Sequence, residues 1–363
     1  MGTGRDDRLL QLDGLRGLAA LSVFLTHYTL LDPQWGYPHG FLGIPRDGFA
    51  AVDLFFVLSG FVLARSLLAS AEGYVPFVIR RVFRLYPAYW AALIISALLF
   101  WVHTLTHPLP SNLPFWTQPI TINQAIKQFF MISPGIDYHL IDPTIWSLVI
   151  EMRISLLMPL LVLGFVWCRS PWLRALILLL SPLLALIQGN ARTTESIFAF
   201  LLGLTLAGYL PRIPQRYWMT PILLVAGIIL YGNRELFDTG RIVFSHHLSA
   251  IGSALIILAA IRSPLFARSL TVAPIQFLGL VSYSFYLIHE PIIMITASTL
   301  LPLIQSPIAC AAISLCVSLA CSAGLYTWIE APGIALGKRY ARRYASHRPL
   351  FSLVVAPAPT SQG

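Results

Sequence analysis

The hydrophobic positions of this chain gather into long segments, and polar positions fall mostly between those segments. A helix needs about 20 apolar residues to cross a hydrocarbon layer of roughly 30 Å. Segments of about this length recur from the N-terminus almost to the C-terminus. The pattern predicts about ten membrane-spanning helices, over residues 14–31, 49–68, 86–104, 145–167, 172–189, 194–210, 217–231, 243–261, 275–299 and 303–330.

The composition agrees with this interpretation. Of the 363 residues, 57% are hydrophobic and only 11% are charged, whereas soluble domains carry about a quarter charged residues. We therefore expect an all-α polytopic membrane protein. Residues 1–340 should form one membrane-embedded domain. Residues 341–363 should form a cytoplasmic tail that is basic at its start and disordered after that. The first apolar segment carries Arg16 and His27, which is not typical of a cleavable signal peptide, so we expect it to be retained.

The distribution of basic residues predicts the orientation in the membrane. If loops alternate between the two sides, 17 of the 24 lysines and arginines fall on one side and 5 on the other, with Arg16 and Arg153 inside helices. Because cytoplasmic loops carry the excess of basic residues, both termini should be cytoplasmic. This scattering also argues against a nucleic-acid partner, despite the net charge of +9. The longest loop, 105–144, should lie outside and form a partly re-entrant lid.

The four cysteines do not predict a metal site. They lack the paired spacing of zinc ligands, and three of them lie in one apolar segment, so we expect all four to serve packing. No bound metal is expected. The cysteines are Cys168, Cys310, Cys316 and Cys321.

A few ionisable residues inside the predicted helices are the candidate catalytic groups. Such residues are costly within a bilayer and usually mark a functional interior. In the predicted topology, His27, Asp53, Glu151 and His289 come from four separate segments and lie at similar depth in the outer half. A neutral imidazole accepts a proton near neutral pH, so His27 is the leading candidate base, with Asp53 or Glu151 orienting it. The alternative for each residue is a structural interhelical hydrogen bond.

Neighbouring positions on the same helices are candidate substrate contacts. Ser147 lies one turn before Glu151, and Tyr286 lies close to one turn before His289. Trp146 offers an aromatic surface beside Ser147. These three residues are predicted to bind substrate, although packing is the usual role of such side chains.

A second group of charges lies on the predicted inner side. Arg81 and Arg84 are one helical turn apart, and Arg16 lies near the inner end of the first helix. Guanidinium groups bind phosphate oxygens in bidentate fashion, so these three arginines are candidates for an anionic cofactor or donor. Ordinary positive-inside anchoring is the alternative for the loop of residues 69–85.

Together these motifs resemble the acyltransferase 3 family of integral membrane acyltransferases, from about Leu12 to Gly337. The resemblance is carried in order by Leu12-Asp13-Gly14-Leu15-Arg16-Gly17 with His27, Val52-Asp53-Leu54-Phe55-Phe56-Val57-Leu58-Ser59-Gly60-Phe61, Arg81 and Arg84 before Tyr86-Pro87, Trp146-Ser147-Leu148 with Glu151, Tyr283-Ser284-Phe285-Tyr286-Leu287-Ile288-His289-Glu290-Pro291, and Trp328-Ile329-Glu330-Ala331-Pro332.

The resemblance implies a function and its partners. It implies a membrane O-acyltransferase of the bacterial inner membrane that takes an acyl group, typically acetyl, from acyl-CoA as donor substrate, without a permanently bound cofactor. Arg81 and Arg84 would contact coenzyme A, and His27 would be essential. Acceptors would be hydroxyls of exopolysaccharide, O-antigen, peptidoglycan or lipid-linked sugars, with polysaccharide-biosynthesis machinery as a further partner. No C-terminal esterase-like domain is apparent, so a two-step relay to a fused extracytoplasmic transferase is not expected.

Two alternatives remain open from the sequence. His27 is either a general base on the acceptor hydroxyl or a carrier that becomes acylated itself. A proton-coupled transporter or flippase also uses histidines and carboxylates at this depth, but it does not need the inner arginine pair.

Overall fold

The chain folds into helices and short helical turns, with no strand among the described residues. The computed structural model describes residues 9–31, 40–70, 72–106, 121–133, 135–137, 140–182, 191–216, 218–238 and 244–344. The helices are α1 Leu10–Leu31, α2 Gly48–Ala69, α3 Tyr74–Thr106, α4 Ile122–Phe129, α5 Ile145–Trp167, α6 Pro171–Leu180, α7 Ala191–Tyr209, α8 Met219–Tyr231, α9 Asn233–Phe237, α10 Ser245–Arg262, α11 Pro264–Leu270, α12 Ala273–Ile304, α13 Pro307–Leu325 and α14 Ala331–Tyr344.

The all-helical prediction is confirmed for the described residues, and each of the ten predicted segments overlaps a helix. Among the described residues, six helical stretches are long and apolar enough to cross a membrane: α2, most of α3, α5, α10, α12 and the stretch Pro307–Tyr344. In that last stretch, one π-helical turn over Tyr326–Glu330 joins α13 to α14. The chain is therefore a multi-pass membrane protein, while the number of ten crossings and the sidedness of the termini stay predictions.

The prediction was wrong about where two helices begin and end. Helix α3 begins at Tyr74 and not near residue 86, so most of the predicted loop 69–85 is helical. The arginines interrupt the apolar pattern there, but arginine has a high helix propensity. The helical structure likewise continues through α14 to Tyr344, beyond the predicted end of the last helix at residue 330. Residues 345–363 lie outside the described part.

Two close helix crossings position the functional residues. Helix α1 packs tightly on α12. The approach is so close that a Cβ at Gly17 would lie 2.5 Å from the backbone nitrogen of Gly279. Helix α2 packs equally closely on α7, where a Cβ at Gly203 would lie 2.2 Å from the backbone oxygen of Val57. Any larger residue at these positions would push the helices apart, as at small-residue interfaces between membrane helices generally.

The described part of the loop 105–144 contains the short helix α4. This helix packs against α3, where the Tyr89 hydroxyl donates to the Gln128 carbonyl at 2.6 Å and the Trp90 ring stacks on Phe129 at 4.7 Å. The predicted lid thus contains a helix over Ile122–Phe129. Residues 107–120, 134 and 138–139 of the predicted lid lie outside the described residues.

Candidate active site

A pair of histidines from α1 and α12 forms the centre of the candidate active site. The rings of His27 and His289 stack in parallel with centroids 5.1 Å apart. Nδ1 of His27 lies 2.9 Å from Nε2 of His289, a hydrogen-bond distance. Two of the four predicted catalytic residues therefore come together, and the close packing of α1 on α12 holds them in contact.

The partners of His289 determine which nitrogens of the pair carry protons. Nδ1 of His289 faces two backbone carbonyls, those of Phe285 at 3.1 Å and Tyr286 at 2.9 Å. Carbonyls only accept, so this nitrogen is the N–H donor, and in the neutral ring Nε2 of His289 is an acceptor. Nδ1–H of His27 then donates to it, which leaves the lone pair on Nε2 of His27.

The imidazole that carries this lone pair is partly exposed. The described residues make no hydrogen bond to Nε2 of His27, and 24% of the His27 side chain is exposed, whereas His289 is fully buried. A buried acceptor behind an exposed imidazole is the arrangement that fixes a histidine tautomer as a base. The geometry thus distinguishes the two histidines: His27 is partly exposed, and His289 is buried and holds the Nδ1 side of the His27 ring.

Asp53 does not orient His27, contrary to the prediction. Its Oδ2 accepts from Nδ1 of His246 at 3.1 Å, and Nε2 of His246 lies 3.7 Å from Glu195. The prediction failed because depth alone cannot say which face of α2 meets which helix; the close α2–α7 packing brings Asp53 to α7 and α10. Sequence reasoning missed His246, although it is an ionisable residue in the first turn of a predicted span.

Glu151 also contacts a residue other than His27, its predicted partner. It forms an ion pair with Arg81 and accepts from the Ser59 hydroxyl at 3.0 Å. Because α3 begins at Tyr74, Arg81 lies two turns inside a helix and extends into the bundle far enough to reach Glu151. The carboxylate therefore neutralises an arginine and does not contact the imidazole of His27.

A cavity of about 1010 Å3 is lined by Ser59, Arg81 and Glu151, whereas neither histidine of the pair is among its lining residues. Its volume is at the upper end of the roughly 300 to 1,000 Å3 that small-molecule sites occupy. Its lining includes the hydroxyls of Ser147 and Tyr286 and, elsewhere, a basic set: Arg16, Arg65, Arg80, Arg81, Arg84 and Lys338. All three arginines predicted to hold an anionic donor thus line one cavity.

The arginines of the cavity differ in how many of their N–H donors already bond to protein groups. Nε of Arg81 donates to Ser155 at 3.0 Å, and its Nη2 pairs with Glu151. Arg16 makes one long contact, 3.4 Å from Nη1 to Asp13. Arg84 makes no hydrogen bond to any residue within the described ranges. Its guanidinium therefore keeps all five N–H donors for a ligand.

Two of the three predicted substrate residues meet on the cavity wall. The hydroxyls of Ser147 and Tyr286 lie 2.6 Å apart, and Phe55 packs edge-on against the Tyr286 ring at 5.7 Å. The Tyr286 ring in turn lies 5.8 Å from that of His289, which links the cavity to the histidine pair. Trp146 lines a separate small pocket with Asp53, Glu195 and His246.

Sequence reasoning passed over Glu290, which follows His289 directly. Its Oε2 lies 3.7 Å from Nδ1 of His27, and its side chain is buried. The signal was present in the sequence, as a carboxylate inside an apolar segment, but the prediction named only His289 and Tyr286 from that segment. No group of three or more metal-binding side chains occurs over the described part of the chain.

Comparison with known proteins identifies the family. The family model of the acyltransferase 3 domain matches residues 9–327. An O-acetyltransferase OatA of Staphylococcus aureus is 30% identical over 324 residues, 79% of this chain and 51% of the relative. A peptidoglycan O-acetyltransferase OatA of Listeria monocytogenes is 27% identical over 335 residues, 80% of this chain and 50% of the relative.

The matches cover most of this chain but only part of those relatives. The chain spans about half the length of the curated relatives it matches. No solved structure matches the chain. The order of motifs, the family model and the named O-acetyltransferases agree, and this chain belongs to the acyltransferase 3 family of membrane acyltransferases.

Proposed function

We propose that this protein transfers an acyl group, typically acetyl, from acyl-CoA to a hydroxyl of a carbohydrate acceptor. The observation that carries the proposal is one cavity lined both by an uncommitted arginine, Arg84, and by the hydroxyls of Ser147 and Tyr286, next to the histidine pair. A phosphate-bearing donor with a reactive thioester at its far end has the shape and charge that such a cavity selects.

The basic set supports the donor assignment. Coenzyme A carries several negative charges in its nucleotide half and an uncharged pantetheine arm. Arg84, Arg16 and Lys338 line the cavity, and guanidinium groups bind phosphates with two parallel hydrogen bonds. The ion pair of Arg81 with Glu151 instead holds that side of the cavity in place. The charged half of the donor stays at the basic set, and only the uncharged arm extends into the bundle.

The tautomer of His27 supports the chemistry. Nε2 takes the proton of the acceptor hydroxyl as its oxygen attacks the thioester carbonyl carbon, and the Nδ1–H bond to His289 steadies the imidazolium. The carbon–sulfur bond then breaks, and the proton on Nε2 passes to the departing thiolate of coenzyme A. In the variant with an acyl carrier, the same lone pair attacks the carbonyl first.

The relatives support the acceptor class. Those of Staphylococcus aureus and Listeria monocytogenes bear the name O-acetyltransferase, the second for peptidoglycan. A cell-envelope carbohydrate outside the bacterial inner membrane is therefore the acceptor that we propose. The bias of basic residues supports cytoplasmic termini, with the donor entering from the same side.

The proposal is tested with membranes that contain the protein, acetyl-CoA labelled in the acetyl group, and a polysaccharide or peptidoglycan fragment. We expect label in ester linkage on the fragment and release of free coenzyme A in equal amount. Arg84→Ala should slow both ester formation and the release of coenzyme A at low donor concentration. Transport of the fragment without ester formation, or ester formation without coenzyme A release, would overturn the proposal.

Sidedness is tested separately by reporter fusions. A reporter fused after Lys338 should report the cytoplasm, and one inserted at Asn112 should report the outside. Reporters on the same side would contradict the predicted alternation.

A further inference from the structure

Two buried carboxyl groups beside the histidine pair have no role in the mechanism above. Glu290 of α12 is 4% exposed, and Asp142, just before α5, is 1% exposed. Oε2 of Glu290 and Oδ2 of Asp142 are both buried without a hydrogen-bond partner. Buried polar atoms are normally satisfied, so two orphaned carboxyl oxygens in one region require an explanation.

The two carboxyls lie close to each other. The backbone N–H of Thr144 donates to Oδ1 of Asp142 at 3.0 Å. The Tyr286 hydroxyl, one turn before Glu290 on α12, lies 3.4 Å from the Thr144 carbonyl, which brings Glu290 within range of the charge of Asp142. The Thr144 hydroxyl adds a second bond to Oδ1 of Asp142 at 2.6 Å. Both groups therefore converge on the first residues before α5.

The surrounding groups do not supply a balancing cation. His27 of α1 lies 3.7 Å from Glu290, and Tyr286 of α12 lies within range of the charges of both carboxyls and of Glu151 of α5. Within the described ranges, no lysine or arginine forms an ion pair with either carboxyl. Two adjacent, buried, unpaired carboxylates repel each other, and such pairs bind one proton between them. Burial raises the pKa of Asp142 to about 7, which agrees with this behaviour.

We infer that Asp142 and Glu290 hold a single proton between their orphaned oxygens and so place one negative charge beside His27. The inference rests on the proposed function. Neither group touches the reactants, so both are positioning residues. The shared proton satisfies Oδ2 and Oε2 at once, which the structure otherwise leaves unpaired.

The charge acts at one step of the reaction. When Nε2 of His27 takes the acceptor proton, the imidazole becomes positive, with Nδ1–H bonded to His289 and 3.7 Å from Glu290. The fixed negative charge stabilises this imidazolium as it forms. The proton of the pair stays in place throughout, so the balance of atoms in the transfer is unchanged.

Isosteric variants test the inference, because each single change keeps one negative charge. In Glu290→Gln the amide donates to an ionised Asp142, and in Asp142→Asn the amide donates to an ionised Glu290. We expect each single variant to transfer within about tenfold of the wild-type rate. The double variant has no charge, and we expect it to lose roughly 10²- to 10³-fold, as when one preorganised electrostatic contact is removed from an active site.

Infrared spectroscopy provides a readout that a structural role would not change. Wild type should show the C=O stretch of one protonated buried carboxylic acid, and either single variant should lose that band. Asp137→Asn, in an exposed residue of the same segment, is the matched control and should keep both band and rate.

The outcomes separate this inference from the proposed function. If wild type transfers no acyl group, the proposed function fails. If wild type is active and the fold loss of rate in the double variant equals the product of the losses in the two single variants, the shared proton is excluded. Persistence of the carboxylic acid band in a single variant also excludes it. A transfer rate that depends on sodium or potassium would indicate that a bound cation takes the place of the proton, and it would also overturn the inference.

Discussion

The basic cavity and the histidine site use their polar groups in opposite ways. In the cavity, Arg84 has no hydrogen bond to any described residue and Arg16 has one long contact. At the histidine site, each nitrogen of His289 and Nδ1 of His27 already has a partner, and only Nε2 of His27 is left for the reactants.

The contrast shows how binding and chemistry are divided. A binding region gains from donors that the protein leaves unused, because the ligand then satisfies them. A reacting group gains from partners that fix its tautomer and orientation before the substrate arrives. Variants in the cavity should therefore change donor affinity, whereas variants at the histidine site should change turnover.

Replacement of His289 should have the largest of these effects. His289→Ala removes the acceptor for Nδ1–H of His27, so the tautomer and orientation of the base are lost. We expect turnover to fall by roughly 10²-fold with donor affinity unchanged. His289→Gln places an amide oxygen near the position of Nε2 and should recover part of the rate. Equal losses in both variants would mean that the hydrogen bond is unimportant.

Replacement of Arg84 should have the next largest effect. Arg84→Ala should raise the KM for acyl-CoA by about 10- to 150-fold with a small change in kcat, because a hydrogen bond to a charged group contributes about 1.5–3 kcal/mol. Arg84→Lys keeps the charge and should lose less. Donor titrations in detergent check both values.

Arg81 should behave differently from Arg84. Arg81→Ala leaves Glu151 as an unpaired buried carboxylate, so we expect less folded protein after solubilisation. Arg81→Ala combined with Glu151→Gln should restore the yield. If Arg81→Ala instead matched Arg84→Ala, with normal yield and a raised KM, the assigned difference between these arginines would be wrong.

The smallest effect concerns stability and pH. The pKa of Asp142 is about 7 in the folded protein, above the roughly 3.9 of an unfolded chain. Folding therefore favours the protonated form, and this stabilisation is lost as the pH rises from about 4 through 7. Thermal unfolding should show wild type losing more stability between pH 5 and pH 8 than Asp142→Asn. Parallel curves would contradict the raised pKa.

The sequence predicts the helices better than their contacts. Hydropathy located α2, α5 and α12 to within a few residues, because apolar length is a local property. It placed the start of α3 twelve residues too late, since arginines lower hydropathy without lowering helix propensity. That error put Arg81 in a loop and hid its pairing with Glu151.

Depth predicted which residues lie inside the bundle but not which of them meet. His27 and His289 come together because α1 packs on α12 through Gly17 and Gly279, a contact that hydropathy does not report. Asp53 lies on a different face and meets His246 instead. The role of Glu290 follows from an orphaned oxygen, which only the three-dimensional structure shows.

The separation of donor binding from chemistry is tested most directly by His27→Ala. Turnover and acyl-CoA affinity are measured on equal amounts of folded protein, with Arg84→Ala as the reciprocal variant. We predict that His27→Ala loses about 10²- to 10⁴-fold in turnover and binds acyl-CoA as wild type does, whereas Arg84→Ala loses affinity and keeps turnover at saturating donor. Substantial turnover by His27→Ala, or loss of acyl-CoA affinity in that variant, would contradict the account.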